Sequence, residues 1–284
     1  MSDHIVSRAR PILDAALAAD GVAAFSEDFE RGLHDDRLNH SHFTEASKDG
    51  TVVALAALAP DGSCEMVVHP KRRREGYGTR LVEQVRQDNP DAGFWAHGNI
   101  PAAQGFAQAL GMQPVRELLV MRVDSADIDA EVELPEGYRA VSYADAVEGG
   151  EQEVVDKQLL DVNNDAFSWH PEQGGWDLER LRRGMDTDWF DAKGLWLLYK
   201  GDDLAGFHWT KQHPDGTGEV YVIGLGSAYR GEGMGVPLLQ VGLKSLVEAG
   251  SPQVILYVEA DNEAAVGLYR RLGFKVDERH IVYR

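Results

Sequence analysis

Cysteine is almost missing from this chain: Cys64 is the only one in 284 residues. A single thiol excludes an internal disulfide and any cysteine-based metal cluster. Cys64 falls in an apolar run, which marks it as buried and not as a nucleophile. Basic residues are outnumbered, 28 Lys and Arg against 47 Asp and Glu, for a formal net charge of −19. Such a chain lacks the basic surface that grips a phosphate backbone, so no nucleic-acid partner is expected. No apolar run approaches the roughly 20 residues of a membrane span, and no secretory leader is visible. The expectation is a cytoplasmic monomer with no membrane partner. Histidines such as His40 and His42, or His208 and His213, have no ligand spacing backed by cysteine or a paired acid, so no metal is expected. What remains is ordinary for a folded protein: 43% hydrophobic and 26% charged residues. The length suits two domains of about 140 residues each.

One pattern occurs twice. Arg73-Arg74-Glu75-Gly76-Tyr77-Gly78 and Arg230-Gly231-Glu232-Gly233-Met234-Gly235 stand 157 residues apart. Each follows an apolar run, Met66-Val67-Val68 or Val220 to Leu225. Each opens an amphipathic helix, with Leu81, Val82 and Val85 or Leu238, Leu239, Val241, Leu243 and Leu246. A strand, a glycine turn and a helix start make an anion site, because the first helical N–H groups lack partners and the helix dipole adds positive charge. Glycine lets a phosphate approach the backbone closely. A Walker A loop would continue Gly-Lys-Ser/Thr, and a dinucleotide fingerprint needs a further glycine; neither is present. Downstream, each copy has another strand and a helix beginning near an asparagine, Asn99 or Asn262, and ending in Leu-Gly. A matched series of this length is an internal repeat.

The remaining elements follow from periodicity. Helices are predicted at 7–19, after Ser26, at 146–162 and at 178–185. Strands are predicted at 43–46, 52–58, 64–68, 115–123, 195–200, 204–211, 219–225 and 254–258. The acidic stretch 124–137 reads as a linker, which sets the domains at 1–123 and 138–284. The class is α/β, a mixed sheet with flanking helices, in two similar halves.

The Arg-x-x-Gly-x-Gly spacing between strand and helix, present twice, resembles the pyrophosphate loop of the GNAT acetyltransferases, which use acetyl-CoA. That resemblance implies two tandem GNAT domains. It also implies a base on or near the strand before the loop, and a tyrosine on the Asn-helix that protonates the CoA sulfur. Glu219 and Tyr269 occupy those positions in the second copy, and the N–H of Leu225 would polarise the thioester carbonyl. One repeat length earlier stand Gly62 and Phe106. Glu65 lies three residues from Gly62, an odd displacement that turns a strand side chain to the other face. The first domain is therefore expected to bind CoA without catalysing.

More specific runs are Val162-Asn163-Asn164-x-Ala166-Phe167, Trp169-His170-Pro171-Glu172-Gln173-Gly174-Gly175-Trp176, Gly206-Phe207-His208-Trp209-Thr210-Lys211 and Gly218-Glu219-Val220-Tyr221-Val222. They resemble a tandem branch of the family that acetylates the cysteinyl α-amine of cysteinyl-glucosaminyl-inositol, the desacetyl form of mycothiol. The resemblance implies substrate contacts at Glu27, Glu172, Lys211, Glu219 and Tyr257. Catalytic acetyl-CoA would be held by Ile223, Gly224, Leu225, Arg230, Gly231, Glu232, Gly233, Met234, Gly235, Val236, Asn262, Glu263, Ala264, Ala265, Val266 and Gly267. A second acetyl-CoA would lie on Met66, Val67, Val68, Arg74, Glu75, Gly76, Tyr77, Gly78 and Thr79. Glu232 and Glu75 are departures, since an acid is unwelcome beside a pyrophosphate unless it turns away. The acceptor would be a small-molecule amine. An α-amine, with a pKa of about 7.7–8.0, is roughly one-tenth neutral at pH 7, whereas freeing a lysine amine takes about 4–5 kcal/mol. A carboxylate base thus suits an α-amine. The rivals are a GNAT enzyme of another amine or peptide N-terminus, and a non-catalytic acetyl-CoA-binding module.

Overall fold

The computed structural model describes residues 2–129, 131–168 and 173–284. Apolar spacing forms α1 (Ser2–Asp20) and α2 (Glu27–Gly32). These lead to β1 (Ser41–Ala46), β2 (Val52–Leu58), β3 (Ser63–Val68), α3 (Tyr77–Asp88), β4 (Gly93–Ala96), α4 (Pro101–Ala109) and β5 (Pro114–Asp124). The second half contains β6 (Tyr138–Ser142), α5 (Tyr143–Ala146), α6 (Gln152–Ala166), α7 (Leu178–Met185), β7 (Leu195–Lys200), β8 (Asp203–Gln212) and β9 (Gly218–Leu225). It closes with α8 (Gly235–Glu248), β10 (Gln253–Glu259), α9 (Glu263–Arg271) and β11 (Lys275–Tyr283). The single helix predicted over 146–162 is broken into α5 and α6. Gly149 and Gly150 intervene with φ of 99° and 91°, a left-handed backbone that cannot continue a helix.

Two units result. The first runs to Leu119 and takes in Glu259–Asp261 and Glu278–Arg284; the second is Val120–Val258 with Asn262–Asp277. The stretch 124–137, read as linker, thus falls within the second unit.

In the first unit β1, β2 and β3 are antiparallel neighbours. β3 then runs parallel to β4 over only Ser63↔Gly93 and Cys64↔Phe94. The other edge of β4 pairs with the far end of β11, through Ile281↔Ala96, Val282↔Trp95 and Tyr283↔Phe94. The run Val52–Leu58 is apolar throughout because both its faces are covered. Leu81, Val82 and Val85 of α3 pack on one side with Ala54, Ala56 and Cys64. Ile12, Phe25 and Phe29 pack on the other with Leu55, Ala57 and Val67. Cys64 is fully buried, and burial followed by the charge of Glu65 pushes its thiol well above the usual range, which keeps it protonated and unreactive.

In the second unit β6 to β9 form an antiparallel meander. Leu159 and Leu181 cover one face together with Phe207, Trp209 and Val222. Met234 and Leu238 cover the other against Leu198. No described helix is long and apolar enough to cross a membrane.

Two buried imidazoles tie stability to pH. Burial pushes His208 down to about 4, and burial with the neighbouring His97 does the same to His280. An unfolded histidine binds its proton near 6.5, so as pH falls the unfolded chain is protonated first. This stability is complete above about pH 6.5 and is lost between there and about pH 4. The midpoint of urea unfolding should fall steadily across that window. A midpoint independent of pH there would contradict the assignment.

Candidate active site

The second unit opens a gap between two strands. β9 and β10 pair only over Val254↔Gly218, Ile255↔Glu219 and Leu256↔Val220, although β9 runs on to Leu225. From Tyr221 onward its β10-facing edge has no ladder partner in β10, so the two strands part before Leu225. The glycine turn follows. Gly231 and Gly233 both have φ of 81°. A Cβ added at Gly231, Gly233 or Gly235 would meet nothing within 4 Å, so the turn is open outward. No side chain caps α8, whose first N–H groups are therefore left without a side-chain partner. These features fit the diphosphate and thioester ends of acetyl-CoA.

Side chains pin the turn from behind. The Asp165 carboxylate accepts from the Ser227 N–H, a bond that lowers its pKa. Arg230 donates to the carbonyls of Leu225 (3.3 Å) and Ala166 (2.9 Å), so its guanidinium braces the strand end. Glu232 is drawn aside by Lys200 Nζ (2.6 Å) and the Tyr138 hydroxyl (2.8 Å). Lys200 comes first among the groups lowering its pKa, so the acid is neutralised within its own unit.

The first turn has the same plan with tighter walls. Arg73 repeats the strand-end bond, donating to the Val68 carbonyl at 3.3 Å, and its other nitrogens bind Asp20. Arg74 takes the place of Gly231 and holds a φ of 68°, a left-handed backbone that costs a non-glycine residue about 1–2 kcal/mol. Glu75 pairs with Arg72 at 3.4 Å. Tyr77 is buried beneath Arg80, and a Cβ on Gly78 would strike the Phe106 ring at 3.1 Å. The side chain of Val67 lies in the core, leaving only its backbone for a ligand.

Glu219 is buried, 5% exposed, at the foot of the gap and directly opposite Lys211. Its Oε2 lies 2.6 Å from His213 Nε2. Its Oε1 has no hydrogen-bond partner among the described residues. The Lys211 ammonium rests 4.6 Å from the centre of Trp189 and 5.9 Å from that of Tyr221. Tyr221 is the extra residue of a bulge: Thr210 pairs with Val220, and the adjacent Trp209 pairs with Val222. Bulges re-aim side chains beside functional sites. Its ring joins Trp189 and Trp209 in an aromatic wall.

The structure corrects the register inferred for the first copy. Ala59-Pro60-Asp61-Gly62-Ser63-Cys64-Glu65 and His213-Pro214-Asp215-Gly216-Thr217-Gly218-Glu219 form the same turn. Ala59 N–H bonds the Ser63 carbonyl as His213 N–H bonds that of Thr217, both at 2.8 Å. Glu65, paired with Ala57, is therefore the counterpart of Glu219, paired with Lys211. The three additional residues lie inside β9, one of them the Tyr221 bulge. The first unit thus has a carboxylate at this position, with both oxygens occupied. Oε2 accepts from Ser26 N–H at 2.7 Å, and Oε1 lies 2.8 Å from His97 Nε2. Counting back from the glycine turn missed this; counting from Pro-Asp-Gly finds both Glu65 and His213.

Tyr269 is half-buried on α9 against Phe274, and burial raises its pKa, which keeps the hydroxyl protonated. Asn262 caps that helix, accepting from Ala265 N–H at 3.2 Å. Glu263 and Ala264 are exposed, whereas the Val266 side chain is in the core. Tyr257 lies just beyond the last β9–β10 pair and is 44% exposed. Glu27 is the first residue of α2, in the first unit. Glu172 lies outside the described residues. Among the described residues no group of His, Cys, Asp or Glu is arranged to hold a metal ion.

Comparisons with known proteins agree with this geometry. The sequence model of the Acetyltransferase (GNAT) family matches residues 11–112 and 158–274. The mycothiol acetyltransferase of Corynebacterium efficiens is 46% identical over 96% of this chain and 90% of its own. That of Mycolicibacterium smegmatis is 42% identical over 94% and 90%. Among solved structures, a GCN5-related N-acetyltransferase from Sphaerobacter thermophilus has a TM-score of 0.70 at 22% identity, covering 99% of this chain and 92% of that one. A tandem GNAT protein from the clavulanic acid biosynthesis pathway has a TM-score of 0.67 at 18% identity, covering 99% and 94%. Both structures show the shared fold.

Proposed function

The chain belongs to the GNAT acetyltransferase family, and on that basis we propose that it transfers acetyl from acetyl-CoA to the cysteinyl α-amine of cysteinyl-glucosaminyl-inositol. The products are CoA and mycothiol, the thiol for which its relatives are named. The observation that carries the mechanism is a buried carboxylate with one open oxygen at the foot of a strand gap. Glu219 takes a proton from the ammonium, directly or through one water, leaving the nitrogen lone pair free to attack. The N–H of Leu225 donates to the thioester oxygen as charge builds there. Tyr269 gives its proton to the departing sulfur. Lys211, Tyr257 and Glu172 would contact the sugar and inositol hydroxyls.

In the first unit we assign a second acetyl-CoA to the turn around Arg74 to Thr79, bound without transfer. Glu65 has no free oxygen and Phe106 no hydroxyl, which supports that division. The use of acetyl-CoA implies a cytoplasmic setting.

The test is a panel of amines incubated with acetyl-CoA and followed by mass spectrometry. Acetylation should favour the cysteinyl pseudo-disaccharide over aminoglycosides and peptide N-termini. Preference for another amine would reassign the acceptor, and no product with any amine would leave a binding module. Tyr269→Phe should lower kcat about 10²- to 10⁴-fold, as loss of a positioned acid does. Unchanged turnover would remove Tyr269 from the reaction.

A further inference from the structure

Resting on the reading of Glu219 as base, we propose that His213 is a positioning residue that aims this carboxylate. An ionised carboxylate can only accept, so at 2.6 Å the His213 Nε2 must carry the hydrogen and donate it to Oε2. That bond fixes the carboxylate rotamer and leaves Oε1 as the oxygen that receives the amine proton. In the transfer the ammonium N–H bond breaks, an O–H bond forms at Oε1, and the electron pair stays on nitrogen.

The turn does not need this histidine. Ala59 holds the same place in the first unit, and the Pro-Asp-Gly turn closes there with the same backbone bonds. His213 is therefore an addition at the one turn whose carboxylate keeps an open oxygen. In the first unit the matching carboxylate is approached instead by His97, after β4, and by Ser26 N–H, which together fill both oxygens.

The imidazole is 26% exposed whereas Glu219 is 6% exposed at its side chain. Other charged or titratable groups around the pair are already occupied or set apart. Lys211, across on β8, lies over Trp189 and Tyr221. Asp215 in the turn accepts from Thr217 N–H. On β10 the residue opposite Glu219 is Ile255, with Tyr257 beyond the paired region.

The experiment compares the full chain with its His213→Ala, His213→Gln and Glu219→Gln variants from about pH 5 to 9, with circular dichroism melts as a control of fold. His213→Ala should lose about 10- to 100-fold in kcat, the usual effect of losing a hydrogen bond to a charged group, with the KM for acetyl-CoA unchanged. His213→Gln, which keeps a hydrogen-bond donor at this place, should recover most of kcat. The proposal is overturned if His213→Ala keeps the parent kcat, or if Ala and Gln lose alike at every pH. Full activity in Glu219→Gln overturns the reading of the base itself. An inactive Glu219→Gln beside an unaffected His213→Ala overturns only the role of His213.

Discussion

Glu219→Gln is expected to lower kcat about 10²- to 10⁴-fold, the range for removal of a general base, while acetyl-CoA affinity stays within about twofold. Glutamine has nearly the shape of glutamate and can still accept from His213, so packing at the start of β9 is kept. The turn and the head of α8 that fit acetyl-CoA lie past the far end of that strand. Only proton removal is lost. The deficit should shrink as pH rises from 7 to 9, because the α-amine, with a pKa of about 7.7–8.0, then sheds its own proton. Steady-state kinetics over that range, with calorimetric titration of acetyl-CoA, provide the check. Equal loss of turnover and cofactor affinity would mean that the carboxylate holds the fold of the site and does not act as its base.

Gly242→Ala is expected to destabilise the second unit by about 3 kcal/mol or more, at the upper end for overpacking. Alanine normally gains about 1 kcal/mol over glycine inside a helix, so the sign runs against propensity. The reason is His208: an added Cβ would overlap its ring atoms. That ring is fully buried on β8, and its Nδ1 lies 3.1 Å from the Leu238 carbonyl oxygen. Either α8 lifts from the sheet or the imidazole gives up its place. Gly105→Ala in α4 is the control, since a Cβ there meets nothing within 4 Å and should stabilise. Thermal melts of both variants decide it. A Gly242→Ala protein as stable as its parent would show that α8 can shift freely.

Local chemistry carried most of the elements. The Asp49-Gly50 turn, the apolar run of β2 and the asparagine cap of α9 are decided by neighbours in sequence, and each can be read there. Register between the copies was harder. Measured from the glycine turns, Glu219 falls opposite Gly62; measured from the Pro-Asp-Gly turns, it falls opposite Glu65. A bulge such as Tyr221 changes the count without changing the fold, and periodicity does not reveal it. His213 was passed over because a turn histidine gains meaning only from the side chain it touches. Asp165 and Lys200, which steady the second turn, come from elements far away in sequence and carry no local signal.

The segment that completes the first unit is residues 278–284, which takes in the later part of β11. During synthesis, β4 emerges from the ribosome long before its antiparallel neighbour exists, so the opening unit must wait with an exposed edge until the rest of the chain has been translated. Neither unit is a continuous piece of chain, and no single cut yields both intact.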